Sequence, residues 1–152
     1  MQTLALADES ATLALGAAIA PHLEPGCILT LRGELGAGKT TLVRGLLRAL
    51  GHAGRVKSPT YTLVELYKVS RLHLYHFDFY RFQDPREWID AGFRDMFNGR
   101  NICLIEWPER ARGQLPAADL EISLELTDNG RLATLAACSA AGERLLAALP
   151  PH

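Results

Sequence analysis

An eight-residue glycine-rich loop between an apolar run and an amphipathic segment constrains the fold of this chain more than any other feature. Residues 27–32 before the loop are mostly apolar and predict a buried parallel strand. Residues 41–50 after it predict a helix, because Leu42, Leu46 and Leu50 share one helical face. A strand, a glycine-rich loop and a helix in this order are the context of a phosphate-binding P-loop. The loop residues are Gly33, Glu34, Leu35, Gly36, Ala37, Gly38, Lys39 and Thr40.

The chemistry of the loop predicts binding of a nucleoside triphosphate together with Mg²⁺. Glycines allow successive backbone N–H groups to turn towards phosphate oxygens, and the start of the following helix adds the positive end of its dipole. We expect Lys39 to reach the β- and γ-phosphates, the Thr40 hydroxyl to take one position on Mg²⁺, and Thr41 to complete the cradle. The alternative is a glycine-rich turn that a Lys-Thr pair follows by chance.

Length and charge limit the class of protein. At 152 residues the chain has the length of one domain, so we expect a single domain over residues 1–152. A formal net charge of −1 gives no bulk attraction for DNA or for an anionic membrane. No apolar run approaches the roughly 20 residues that a membrane-spanning helix needs, and no basic-then-apolar leader opens the chain. We therefore expect a cytoplasmic protein with no membrane or DNA partner.

The three cysteines are odd in number and widely spaced. Cys27, Cys103 and Cys138 all lie in segments with strand character. We expect each to be a small core residue in a reducing compartment rather than a disulfide partner or a metal ligand.

The first half of the chain predicts an edge strand, a helix and a hairpin around the glycine-rich loop. Residues 3–6 form a short edge strand, and Asp8 caps the helix that follows. From residue 60 to residue 79 the β-branched and aromatic content rises, which favours a hairpin of residues 61–67 and 72–77. The apolar stripe of the first helix contains Leu15, Ile19 and Leu23.

The second half predicts two helices, a buried strand and another hairpin. Residues 84–87 have Pro at the first helical position and capping-box spacing, and residues 101–105 are nearly all apolar. The turn signal Asp128-Asn129-Gly130 predicts pairing of residues 118–126 with 132–138. Residues 141–149 predict a terminal helix, which Pro150 and Pro151 stop. The buried face of the helix after residue 84 is assigned to Ile89, Phe93 and Phe97.

These elements together predict an α/β P-loop NTPase sandwich. Its sheet is mixed, with a parallel core and antiparallel hairpins, and helices flank it.

A carboxylate near Mg²⁺ is the next requirement of such a site, and two acids compete for the role. Glu106 ends the apolar strand before it, and Asp78 ends a more amphipathic strand. Burial on both faces suits a central strand beside the loop strand, so we assign Glu106 as the direct or water-mediated Mg²⁺ ligand. Asp78 then orders the attacking water or the outer metal shell. The alternatives are a surface acid at Glu106 and a turn-capping acid at Asp78.

Two neighbours of these acids allow further interpretations. His76 and Asp78 point to one face of a strand, which is compatible with a transition metal, but no third ligand is evident. Trp107 follows Glu106 directly and is interpreted either as partly buried packing or as a contact with the nucleotide or a partner.

A hydroxyl-rich segment after the helix that follows the P-loop resembles a nucleotide switch. Pro59 restricts Ser58 to extended geometry, and the hydroxyls of Ser58, Thr60 and Thr62 are placed to sense the γ-phosphate through its metal. The alternative is a loop whose hydroxyls serve local turns.

Four motifs, in order and spacing, resemble the bacterial TsaE (YjeE) family. They are the loop at 33–41, Ser-Pro-Thr-Tyr-Thr-Leu-Val at 58–64, His-Phe-Asp-Phe-Tyr-Arg at 76–81 and Ile-Glu-Trp-Pro-Glu at 105–109. The last three are far more specific than the loop alone, and the resemblance spans nearly the whole chain.

The resemblance implies an ATPase for making threonylcarbamoyladenosine beside the anticodon of tRNAs that read codons beginning with A. It implies the partners TsaD, which transfers the threonylcarbamoyl group, and TsaB, its paralogue, with tRNA contacted indirectly through the complex. The family's metal residues correspond to Thr40 and Glu106, and its functional aspartate to Asp78. Its adenine-side contacts correspond to Thr12 and Arg131.

Three other functions remain open from the residues alone. A small-molecule kinase would use Arg110 and Arg112 as lid arginines, although no insertion is large enough for an acceptor-binding lid. A GTPase switch has no Asn-Lys-x-Asp run to read guanine. A module that binds ATP with negligible hydrolysis is the non-catalytic alternative.

Overall fold

The computed structural model describes residues 1–150, which fold into one seven-stranded sheet flanked by helices. The strands are β1 (Gln2–Leu6), β2 (Ile28–Arg32), β3 (Val64–Val69), β4 (Leu72–Asp78), β5 (Ile102–Glu106), β6 (Leu120–Thr127) and β7 (Gly130–Ala137). The α-helices are α1 (Glu9–Ile19), α2 (Lys39–Ala49), α3 (Glu87–Asp90) and α4 (Ala140–Ala148). Short 3₁₀ turns lie at Ala20–His22, Phe93–Met96 and Pro108–Ala111.

The sheet has a parallel centre and antiparallel margins. The strand order is β1-β7-β6-β2-β5-β4-β3, and the pairs β6–β2, β2–β5 and β5–β4 are parallel. The pairs β1–β7, β7–β6 and β4–β3 are antiparallel. The predicted mixed α/β sandwich is therefore confirmed, including both hairpins and the edge strand β1.

Two apolar clusters cover opposite faces of this sheet. Because side chains alternate along a strand, Ile102 and Leu104 join one cluster while Cys103 and Ile105 join the other. The first cluster is mainly aliphatic and includes the buried faces of α1 and α2. The second is rich in aromatic rings and lies beneath α3 and the 3₁₀ turns around it. The aliphatic cluster includes the buried face of α2, the helix that follows the glycine-rich loop.

Local signals fixed most helix ends correctly. The Asp8 carboxylate accepts a hydrogen bond from the Ala11 N–H at 2.9 Å, as expected of an N-cap. The Glu87 carboxylate accepts from the backbone N–H of Asp84 at 2.9 Å, as in a capping box, but α3 begins only at Glu87, so the prediction of Pro85 at its first helical position was wrong. Pro150 follows α4, whereas Pro151 lies outside the described residues.

The helix predicted after residue 84 was wrong in length and in its buried face. Gly92 takes the left-handed conformation (φ 76°) and separates α3 from a 3₁₀ turn, so Ile89 and Phe93 no longer share a helical face. Ile89 is 46% exposed, and Trp88 is buried in its place. Phe93 is buried and Phe97 partly buried, as expected.

The cysteine prediction holds for two residues of three. Cys27 and Cys103 are buried, and burial raises the pKa of each thiol to about 12. Cys138 is exposed just after β7, so its assignment to the core was wrong. All three are free thiols. Within residues 1–150, no helix is both long enough and apolar enough to cross a membrane.

Candidate functional site

A cavity of about 300 Å³ opens where the carboxyl ends of β2, β5 and β4 meet the start of α2. Open α/β sheets bind ligands in this position, outside the carboxyl ends of their parallel strands. Residues from six separate segments line it. They are Glu9, Leu35, Gly36, Gly38, Lys39, Thr40, Thr41, Ser58, Thr60, Asp78, Glu106, Trp107 and Arg131.

The glycine-rich loop presents backbone donors to this cavity. Gly38 is the N-cap residue of α2 and has φ 105°, a left-handed conformation that glycine adopts without strain. Within residues 1–150 no side chain caps α2, so its first N–H groups remain available to an external acceptor. A helix start with this exposure is a ready binding site for an anion. Of the remaining loop residues, Gly33 and Glu34 line an adjacent groove and Ala37 is buried.

Lys39 is buried against an aromatic ring and a carbonyl group. Its side chain donates to the Gly33 carbonyl oxygen, and Nζ lies 4.0 Å from the centroid of the Trp107 ring. Only 4% of Lys39 is exposed, and burial lowers the pKa of its amine, although Glu106 and Asp78 oppose that change. The charges of both candidate acids thus act on the Lys39 amine.

Glu106 ends β5 and meets two side chains from other elements. Its Oε2 accepts a hydrogen bond from the Thr40 hydroxyl at 3.1 Å and lies 2.6 Å from His76 Nε2. Glu106 is 3% exposed and His76 is completely buried. The structure therefore brings together the two residues that were predicted to hold Mg²⁺. Within residues 1–150, no group of three or more His, Cys, Asp or Glu side chains is arranged to hold a metal ion by itself.

Asp78 ends β4, directly in register with Glu106 on β5. Its Oδ1 accepts from the Tyr80 N–H at 2.9 Å, and its Oδ2 accepts from the Thr60 hydroxyl at 3.1 Å. Burial raises the pKa of Asp78, and the nearby negative charge of Glu106 acts in the same direction. The carboxyl group is therefore a better proton acceptor than an exposed aspartate.

The hydroxyl-rich segment reaches the site through two of its three predicted residues. Ser58 Oγ and Thr60 Oγ1 are 2.8 Å apart, and Thr60 continues this chain of hydrogen bonds to Asp78. Both residues line the cavity. Thr62 does not line it, since its hydroxyl donates to Glu65 Oε1 at 3.1 Å on the surface. Leu63 has φ 70°, and β3 begins at Val64, three residues after the predicted start of the hairpin.

Thr12 and Arg131 lie together beside the loop, 119 positions apart in sequence. Arg131 Nη1 is 3.5 Å from the Thr12 hydroxyl, and the Arg131 side chain runs close to Gly38. Arg131 lines the cavity, whereas Thr12 is completely buried behind it. Arg131 is thus placed to contact a ligand directly, and Thr12 reaches the site only through Arg131.

Trp107 packs at the rim rather than projecting into solvent. It has φ 57°, a left-handed conformation that is uncommon for a bulky residue, and it is half-buried. Its ring centroid is 5.0 Å from that of Tyr80, and the Arg110 guanidinium lies 5.8 Å away. The interpretation of Trp107 as partly buried packing is therefore confirmed, and its contact with a nucleotide or a partner stays a prediction. The ring both packs and lines the cavity.

Sequence reasoning missed two features of the site. Glu9 lines the cavity from the first turn of α1, where it pairs with Arg44 at 3.7 Å, and no motif marks it. The contact of His76 with Glu106 was also missed. Strand alternation placed His76 on the face of Asp78, but only the order β4–β5 brings that face to Glu106.

The fold and the site together define a class: mixed α/β proteins in which a glycine-rich loop joins a central parallel strand to a helix, with two acids at the neighbouring strand ends. The sequence model of the family described as "Threonylcarbamoyl adenosine biosynthesis protein TsaE" matches residues 6–133. This chain belongs to the TsaE family.

Individual relatives agree with the family match. The Haemophilus influenzae tRNA threonylcarbamoyladenosine biosynthesis protein TsaE is 48% identical over 127 residues, covering 84% of this chain and 80% of the relative. The Bacillus subtilis protein of the same name is 39% identical over 142 residues, covering 93% and 89%. The crystal structure of Bacillus subtilis YdiB aligns with a TM-score of 0.82 at 32% identity, covering 96% of this chain and 91% of that one.

Proposed function

We propose that this chain is a magnesium-dependent ATP hydrolase that supports formation of threonylcarbamoyladenosine in tRNA. The modified adenosine is the one beside the anticodon of tRNAs that read codons beginning with A. The observation that carries the hydrolase proposal is the convergence of Lys39, Thr40 and Glu106 at the uncapped start of α2. The pathway is inferred from the names of the relatives.

The residues present fit Mg²⁺ on chemical grounds. The Thr40 hydroxyl and the Glu106 carboxylate, which are hydrogen-bonded at 3.1 Å, are hard oxygen donors of the kind Mg²⁺ prefers. Protein sites for Mg²⁺-nucleotides commonly supply one or two such groups, while phosphates and water supply the rest. Thr40 and Glu106 would hold the ion directly or through water. A bound Mg²⁺ would neutralise negative charge on the phosphate oxygens of the nucleotide.

The remaining groups have separate roles in the proposed reaction. The N–H groups around Gly36 and Gly38 bind phosphate oxygens, and Lys39 leaves the Gly33 carbonyl to follow the β- and γ-phosphates. Asp78 orients the attacking water and accepts its proton, which the raised pKa of its carboxyl group favours.

Recognition of the base rests on few groups. Arg131 is the proposed contact beside adenine, and Thr12 fixes its guanidinium by the 3.5 Å contact. Because these groups offer few hydrogen bonds, the selectivity for ATP over GTP is modest, within about tenfold. Discrimination beyond about 10⁴-fold would require a buried base-reading site.

The proposed partners are TsaD and TsaB, with tRNA reached through their complex in the cytoplasm. Ser58 and Thr60 are hydrogen-bonded to each other and, through Thr60, to Asp78, so a change at the γ-phosphate reaches the segment around them. If bound ATP strengthens docking of this chain onto the TsaD–TsaB pair, docking must strengthen ATP binding by the same factor.

The test measures ATP hydrolysis and docking together. Under single-turnover conditions we expect slow hydrolysis by the isolated chain and faster hydrolysis with the TsaD–TsaB pair. The affinity of this chain for the TsaD–TsaB pair should differ between its complexes with an ATP analogue and with ADP. Lys39→Ala serves as the inactive chain, and Lys68→Ala, an exposed lysine on the edge strand β3, as its matched control.

Two results would contradict the proposal. Equal hydrolysis rates with equal docking affinities would leave no route for coupling. A phosphorylated metabolite, in place of free phosphate, would favour the small-molecule kinase.

A further inference from the structure

We propose that His76 is a positioning residue that holds the Glu106 carboxylate in the orientation needed for Mg²⁺. This inference rests on the proposed function, because it assigns a role towards the ion that Thr40 and Glu106 would hold. His76 itself would not contact the ion or the nucleotide, since it does not line the cavity.

The parallel pairing of β4 with β5 places His76 behind Glu106. Asp78 is in register with Glu106, and His76 is in register with Leu104, one pleat earlier on the same face. From there the imidazole reaches forward until Nε2 lies 2.6 Å from Glu106 Oε2. Because an ionised carboxylate can only accept a hydrogen bond, His76 donates through its Nε2–H.

Two donors from different elements thus hold one oxygen of Glu106. Thr40 approaches Oε2 from α2 and His76 from β4, both within hydrogen-bond distance. Among residues 1–150, Glu106 Oε1 makes no such hydrogen bond. Outer hydrogen bonds of this kind fix the direction of metal-ligating side chains.

The environment of His76 argues against a role in packing alone. The side chain is completely buried, and its Nδ1 has no hydrogen-bond partner in the described part of the chain. An unpaired buried polar atom is unfavourable, and a leucine at this position would avoid it. An imidazole is therefore less favourable than a leucine for filling this space, and its hydrogen-bond partner among residues 1–150 is Glu106.

The experiment compares His76→Leu with His76→Gln, whose amide nitrogen can occupy the position of Nε2. His73→Leu, the same change at an exposed site on the same strand, is the matched control. Calorimetry measures binding of a non-hydrolysable ATP analogue across a Mg²⁺ titration. Thermal unfolding without Mg²⁺ is recorded for each variant.

The Mg²⁺ midpoint is the Mg²⁺ concentration that gives half of the Mg²⁺-dependent effect. We expect His76→Leu to raise the midpoint for analogue binding by about 10- to 100-fold. His76→Gln should stay within about threefold of the unsubstituted chain, and His73→Leu should match it. Binding of the analogue without Mg²⁺ should be the same in all four proteins. A lower melting temperature of His76→Leu with an unchanged Mg²⁺ midpoint would mean a structural role only and would overturn the inference.

A second measurement covers the case in which His76→Leu does not fold. In the unsubstituted chain with ¹⁵N-labelled histidine, NMR should show a protected proton on His76 Nε2 that shifts when Mg²⁺ and the analogue bind. A proton found on Nδ1 with a bare Nε2 would overturn the inference. If the unsubstituted chain binds the analogue without any Mg²⁺ dependence, the proposed function itself fails, which the calorimetry distinguishes from a failure at His76 alone.

Discussion

Glu106 and Asp78 end neighbouring parallel strands in direct register, yet their surroundings differ in kind. Glu106 is held by side chains on regular elements, Thr40 at the start of α2 and His76 within β4. Asp78 is held by Thr60 from an irregular segment and by the backbone of Tyr80 just after its own strand. Asp78 and Glu106 are each 3% exposed, so burial alone does not separate them.

The difference indicates that Glu106 is rigidly held, whereas the surroundings of Asp78 can move. Groups on helices and strands keep their positions, which suits a metal ligand. Loop segments open at low free-energy cost, which suits a group that must respond to the nucleotide. We therefore expect substitutions at Glu106 to change the need for Mg²⁺, and substitutions around Asp78 to change turnover.

The largest expected effect is that of Asp78→Asn. Loss of the proton acceptor should lower turnover at saturating Mg²⁺ by about 10²- to 10⁴-fold, while the Mg²⁺ midpoint changes little. Single-turnover phosphate release measures this, with Asp95→Asn at an exposed position as the control. A large shift in the Mg²⁺ midpoint with normal turnover at saturating Mg²⁺ would instead make Asp78 the metal ligand and Glu106 the proton acceptor.

Glu106→Gln should produce the complementary pattern. An amide keeps the shape but loses the negative charge that attracts Mg²⁺, so the Mg²⁺ midpoint should rise by about 100-fold. Much of the activity should return at high Mg²⁺. The measurement is the Mg²⁺ dependence of hydrolysis, with the exposed Glu143→Gln on α4 as the control. Failure of any Mg²⁺ concentration to restore turnover would argue that Glu106 acts in the chemical step.

Thr60→Ala should lower turnover less than Asp78→Asn does, because it removes only one of the groups that hold Asp78. The loss of one hydrogen bond to a buried carboxylate, worth about 1–2 kcal/mol, should lower turnover by roughly 5- to 30-fold. Thr62→Ala should change turnover less, because the Thr62 hydroxyl contacts only Glu65 on the surface. Equal losses in the two variants would place Thr62 in the nucleotide-sensing segment beside Thr60.

The smallest expected effect concerns stability and pH. An unfolded aspartate titrates near pH 4, and burial raises the pKa of Asp78 above that value in the folded chain. Between these two pKa values the folded chain binds more protons than the unfolded chain, so the contribution of Asp78 to stability falls as the pH rises.

The stability of Asp78→Asn relative to the unsubstituted chain should therefore rise as the pH rises from 4 towards neutral. Denaturant unfolding from pH 4 to pH 8 without Mg²⁺ measures the difference. A relative stability of Asp78→Asn that rises as the pH falls would contradict the sign of the pKa shift.

Local patterns were sufficient for most of the fold. The 3.6-residue period of α1 and α2 and the two turn-linked hairpins predicted the correct elements, although Leu23 was wrongly placed on α1, which ends at Ile19. The error near Ile89 arose because an apolar period was extended across Gly92, whose left-handed backbone stops a helix. The exposure of Cys138 was missed because it follows β7 rather than lying within it.

The site was predictable where a residue type carries its own chemistry. Lys39 and Thr40 follow from the loop motif, and both acids follow from their positions at strand ends. The contact between His76 and Glu106 depends on which strands become neighbours and in which register, which no local pattern specifies. Glu9 reaches the cavity through the packing of α1 on α2, which is equally non-local.

The central claim is that this cavity binds Mg²⁺-ATP through the start of α2. The most direct test is calorimetry of ATP binding, with and without Mg²⁺, to the unsubstituted chain, Lys39→Ala and Thr40→Ala. We predict that Lys39→Ala weakens binding by at least about tenfold in both conditions, since it removes a charged hydrogen-bond donor. Thr40→Ala should weaken binding mainly when Mg²⁺ is present. Unchanged ATP affinity in both variants would contradict the account.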